Sequence, residues 1–171
     1  MNGETVVAVV GIGVGATLVM DLWGWLLRRL TGNAGLDYAL VGRWVGHMPR
    51  GRFRHAGIGR AAPVRGERVL GWTCHYLIGI GFAALLVAVA GPAWLCRPSL
   101  WPALAFGLLS VAAPFLVMQP AFGLGIAAAR TPEPLKARLR SLRSLRTHLV
   151  FGLGLYLAAQ GMAWGWMNCA G

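Results

Sequence analysis

An apolar run from Thr5 to Leu27 is broken by a single charge, Asp21, and closed by Arg28 and Arg29. A second run extends from Val69 to Ala90 and stops at Gly91-Pro92. A third covers Ser99 to Ala128, ahead of Arg130, and a fourth covers Thr147 to Asn168. Each is long enough for a helix to cross about 30 Å of hydrocarbon. The pattern therefore predicts an all-α fold, an integral-membrane bundle of four transmembrane helices forming one domain over residues 1–171. The third run is longer than a crossing needs and contains Pro114 and Pro120. Each proline lacks a backbone donor, so a bend or a loosened turn is expected between Pro114 and Gly123.

Composition agrees with the pattern. The 171 residues are 57% hydrophobic and 12% charged, where a soluble domain carries about 25% charged residues. The net charge of +11 suggests nucleic acid until the charges are located. Of 16 Lys and Arg residues, nine lie between Arg28 and Arg68, six between Arg130 and Arg146, and one, Arg97, between the second and third runs. Alternate loops thus hold nearly all the basic charge. The positive-inside rule makes loops 28–68 and 129–146 cytoplasmic and both termini periplasmic, with no role for nucleic acid. The first run does not read as a signal peptide, because no basic residue precedes it and Arg28-Arg29 follows it.

The second basic loop has a period of its own. Leu135, Leu139, Leu142, Leu145 and Leu149 follow helical spacing, while Arg138, Arg140, Arg143 and Arg146 take other positions. This predicts a basic interfacial helix that runs into the fourth span and meets anionic lipid headgroups.

Each span carries a polar residue in its cytoplasmic half: Asp21, His75, Gln119 and His148. Antiparallel threading brings all four toward the same leaflet, and small residues share their faces, as in Gly13-Thr17-Asp21-Gly24 and Gly71-His75-Gly79. Small residues let helices approach closely, and inward-facing polar groups can satisfy one another. A carboxylate at such depth costs about 2.5–3.5 kcal/mol on insertion scales and needs a partner. His75, His148, Arg28 and Arg43 are the expected partners for Asp21. The plain alternative is that Asp21 only clips helices together.

The four histidines, His47, His55, His75 and His148, with Asp21, offer nitrogen and oxygen ligands for a transition metal, although no dense ligand motif is present. Against this stand ordinary hydrogen-bonded or interfacial histidines. Cys96 and Cys169 fall on the periplasmic side in this topology and suit a disulfide there. The glycines of "GIGVG", "GLGIAAA" and "FGLGL" read as helix packing, not as nucleotide loops, since no strand precedes them.

The ordered set "GATLVMDLW", "ALVGRWVGHMPRGRFRH", "GERVLGWTCHYLIGIGFA", "APFLVMQPAFGLGIAA" and "THLVFGLGLYL" resembles a bacterial family of small four-span inner-membrane proteins catalogued only as a domain of unknown function. The resemblance implies a multi-pass protein of the bacterial inner membrane and supplies no activity or cofactor. The residues themselves favour a buried polar site near the cytoplasmic leaflet that binds or moves a proton or small cation. A membrane metal- or lipid-dependent enzyme remains open. So does a structural accessory subunit that assembles with its own copies or with a partner membrane protein.

Overall fold

A computed structural model describes residues 3–32, 35–131 and 133–165, with side chains described for all of these except 134–137 and 165. Within them the fold is all-α, without strands. Helix α1 (Gly3–Thr31) carries Glu4 in its first turn and Arg28 and Arg29 in its last, each the charge that the helix dipole favours there. Helix α2 is Tyr38–His47, α3 is Glu67–Ala90, α4 is a single turn at Ala93–Cys96, and α5 is Leu100–Leu109. Among the described residues, three helical segments are long and apolar enough to cross a membrane: α1, α3 and Leu100–Ala121.

The third run does loosen at its prolines. After α5 the ladder widens into a π-helical turn at Ala113–Met118, then regains one α-helical turn, α6, at Gln119–Ala121. Pro120 has no N–H for the carbonyl of Leu116, and the wider turn lets Gln119 N–H reach the carbonyl of Pro114 instead. The helix does not continue to Ala128. Gly123 (φ 91°) and Gly125 (φ 74°) take left-handed backbone and end it. The glycines of "GLGIAAA" are therefore turn formers, not helix-packing residues.

Helix α7 (Pro134–Gly165) joins the basic segment to the fourth apolar run without a break. Residues 166–168 of that run lie outside the described residues, as does Cys169, the expected partner of Cys96.

The chain forms two compact units of discontinuous sequence. One holds α1, residues 76–90 of α3, α4, α5 and residues 147–165 of α7. Its core includes Ile12, Ala16, Ala83, Leu86, Phe151 and Leu155. Glycine sets the helix spacing. A Cβ at Gly13 would stand 2.5 Å from Ile80 Cα, and one at Gly79 would strike the Thr17 hydroxyl. Gly11 and Gly15 lie against Met162 and Ala158 of α7, and Gly107 of α5 lies against Gly152 of α7. The paired numbers run in opposite senses, so α1 is antiparallel to both α3 and α7.

The other unit holds α2, residues 67–75 of α3, the π turn, α6 and residues 134–146 of α7. Asp37 caps α2, accepting from Ala39 N–H at 3.0 Å. Gly42 and Gly71 bring α2 and α3 together so closely that a Cβ on either would overlap a backbone carbonyl, that of Glu67 or of Tyr38. A strap over residues 52–61 lies on α6. His55 N–H donates to Ala121 O at 2.8 Å and Ile58 N–H to Phe122 O at 3.2 Å. Val41, Ile58, Ala121 and Phe122 form the core beneath it.

The glycine crossings are open to test. Gly42→Ala must push α2 off α3, an overpacking cost of about 1–3 kcal/mol, and should lower the melting temperature in detergent. Gly81→Ala, which meets nothing within 4 Å, should leave it unchanged or raise it. Equal effects would show that the crossings do not depend on glycine.

Candidate functional site

In the first unit the antiparallel register of α1 and α3 steps from Gly13–Ile80 to Thr17–Gly79 and then to Asp21–Tyr76. The Tyr76 hydroxyl donates to Asp21 Oδ2 at 3.0 Å. Thr17, fully buried, returns its own hydroxyl proton to the Gly13 carbonyl at 2.7 Å. The Tyr76 hydroxyl thus supplies the acid with a neutral donor from the facing helix. Tyr76 was not foreseen. It sits three residues before Gly79, on the face that packs against α1, so that face carried the signal.

Crossing α5 and α7 at Gly107 and Gly152 brings Ser110 to His148. Ser110 Oγ lies 2.6 Å from the Gly107 carbonyl and 2.7 Å from His148 Nδ1. The hydroxyl has one proton to share between these two contacts, and whether His148 Nδ1 donates or accepts follows the imidazole tautomer.

The second unit holds the other polar residues. His75 stacks on Tyr38 with ring centroids 4.2 Å apart, and Trp72 meets His75 edge-on at 5.8 Å. Gln119 is 8% exposed, and its Oε1 is buried with no hydrogen-bond partner among the described residues. His47, 5% exposed, meets His55 with Nδ1 2.8 Å from His55 Nε2. The remaining ring nitrogen, His55 Nδ1, is also buried without a partner. Each such atom costs about 1–3 kcal/mol when left unsatisfied. Two imidazoles are fewer ligands than a closed metal site needs. Among the described residues no group of three or more His, Cys, Asp or Glu side chains gathers as ligands.

Arg43, one partner expected for Asp21, is engaged elsewhere. Its Nε and Nη2 donate to the two oxygens of Glu67 at 2.8 and 2.7 Å. Its Nη1 donates to the carbonyls of Ile58, Gly59 and Ala61 on the strap at 3.2–3.4 Å. The hydrogen bond to Glu67 holds this guanidinium protonated above its ordinary range. The pairing spans 24 residues, and no local spacing announces it. On α7, Arg138, Arg140, Arg143 and Arg146 are all exposed.

With this geometry in place, comparison with known proteins adds one result. Residues 10–162 match the family described as Protein of unknown function (DUF2938), and the chain belongs to that family. No curated protein and no solved structure matches it.

The paired histidines carry a pH prediction. Burial, and then His47, push the His55 imidazole below its ordinary 6.5. The unfolded chain then takes up this proton before the folded one does. The contribution to stability is complete above pH 6.5 and is lost as the pH falls through that value toward the lowered one. Melting temperature in detergent should fall between pH 7 and 5, and His55→Gln should flatten that slope. A wild-type profile unchanged over this range would remove the effect.

Proposed function

We propose that the chain is a four-span protein of the bacterial inner membrane that binds or moves a proton or small cation through Asp21. The observation that carries this reading is the Asp21–Tyr76 pair, a carboxyl group held by a neutral hydroxyl between two helices apolar enough to cross a membrane. An acid inside a membrane span is a functional candidate by default. Residues 147–165 of α7 serve as the fourth span, antiparallel to α5 at Gly152 and to α1 at Gly154. The concentration of basic residues in alternate loops supports cytoplasmic placement of 28–68 and 129–146, with both termini periplasmic. The first half of α7 then continues out of this span at the cytoplasmic leaflet, with Arg138, Arg140, Arg143 and Arg146 near its headgroups.

Proton uptake by proteoliposomes under an imposed gradient tests the site. Asp21→Asn should abolish flux, whereas Tyr76→Phe, which keeps the carboxyl group but removes its donor, should shift the pH at which flux is half-maximal. Equal flux in wild type and Asp21→Asn, or flux in neither, would sink the proposal.

Topology has a separate test. A reporter fused at the C-terminus should be active only if it folds in the periplasm, and one placed near Arg54 only if it folds in the cytoplasm. The reverse pattern would invert the assignment.

A further inference from the structure

The turn that follows α6 contains an anomaly that the proton site does not use. Ala127 (φ 49°) and Ala128 (φ 62°) are consecutive non-glycine residues in left-handed backbone. Such backbone is strained for a residue with a Cβ and persists only where surrounding contacts hold it. Ala128 is fully buried. Arg130 N–H closes the loop onto Leu124 O at 2.8 Å, and Ser141 Oγ of α7 donates to the Ala127 carbonyl at 3.1 Å. Strained backbone held by designed contacts tends to mark a binding site. Here it walls an open pocket of about 470 Å³, lined among the described residues by Ala127, Arg138, Ser141 and Leu142. That volume is within the range of about 300–1,000 Å³ typical of small-ligand sites.

The lining is chemically one-sided. Arg138 supplies a guanidinium, whose planar donors match two phosphate oxygens. Ser141 has already given its proton to Ala127, so its oxygen is left as an acceptor for a ligand hydroxyl. Leu142 is 60% exposed and Leu139 43% exposed, which places apolar surface directly beside the basic side chains. No Asp or Glu occurs between Pro134 and Arg146. An amphipathic helix that leaves its leucines exposed among arginines has the chemistry of a bilayer surface.

We propose that this pocket binds the phosphodiester of an anionic phospholipid, with Arg138 on the phosphate, Ser141 Oγ accepting from a headgroup hydroxyl, and Leu142 against the lipid's apolar part. The proposal rests on the reading of α7 as a cytoplasmic-leaflet helix, and differs from it in claiming one site instead of a diffuse basic face.

The test uses the full chain reconstituted in phosphatidylcholine vesicles doped with phosphatidylglycerol. Retained lipids are counted by native mass spectrometry after release. Wild type should retain phosphatidylglycerol over phosphatidylcholine. Arg138→Gln should weaken that retention about tenfold, the scale of one charge-assisted hydrogen bond. Ser141→Leu, which fills the pocket without changing charge, should also lose it. Arg140→Gln removes the same charge outside the pocket and should change retention less than twofold. An unchanged melting temperature certifies each variant as folded, and Arg138→Lys, which keeps the charge, replaces Arg138→Gln if that variant does not fold and should show a smaller loss of the same sign. Equal losses at Arg138 and Arg140 would overturn the site while leaving the interfacial helix intact. No preference for phosphatidylglycerol in wild type would overturn both. Displacement of the retained lipid by inorganic phosphate would reassign the pocket to a soluble anion and overturn the lipid assignment.

Discussion

Close backbone approach at glycine is the constraint on which the polar chemistry of this protein depends. In lipid, helices gain little from hiding apolar surface from one another, so association relies on packing at small residues and on polar contacts. Three of the polar pairs described above stand within about a turn of a crossing made possible by glycine. Thr17 against Gly79 precedes Asp21–Tyr76, Gly107 against Gly152 precedes Ser110–His148, and Gly42 against Glu67 precedes Arg43–Glu67. The glycines fix axial register and rotation, and the side chains one turn away meet as a result.

The same relation explains how far the sequence could be read. Helix positions followed from apolar run length, and the loosening of the third run followed from Pro114 and Pro120. The glycine stripes of α1, α3 and α7 were visible as stripes. The partners were not, because a step of one residue turns a helix by about 100°. His75 and Tyr76 flank the line through Gly79 on opposite sides, and only the crossing itself selects Tyr76 for Asp21. His47 with His55, and Arg43 with Glu67, join segments across irregular backbone, where no period operates. The third run was read too long because Gly123 and Gly125 look, in sequence, like the packing glycines of α1. Their positive φ angles come from the fold-back of the chain, where Gly123 lies against the carbonyls of His55 and Ala56.

The two units treat buried polarity differently. In the first, hydroxyl donors meet definite acceptors, Thr17 to Gly13 and Tyr76 to Asp21. In the second, Arg43 gathers a carboxylate and three strap carbonyls, while Gln119 Oε1 and His55 Nδ1 stay buried and unmatched. A structure purely concerned with stability would avoid such atoms. Their presence beside a π turn, a feature frequent at functional sites, makes the strap and α6 a region where small changes in occupancy or protonation have leverage.

Helix α1 faces two neighbours at once. Gly11 and Gly15 lie against α7, and Gly13, between them, lies against α3. The helix is thus threaded like a key with teeth on two edges. Insertion or deletion of a single residue between Thr17 and Asp21 would leave the glycine crossings in place. It would swing the carboxyl group by about 100°, away from Tyr76. The length of a connecting loop can change without moving the acid, but the distance along the chain from "GIGVG" to Asp21 is a fixed measure.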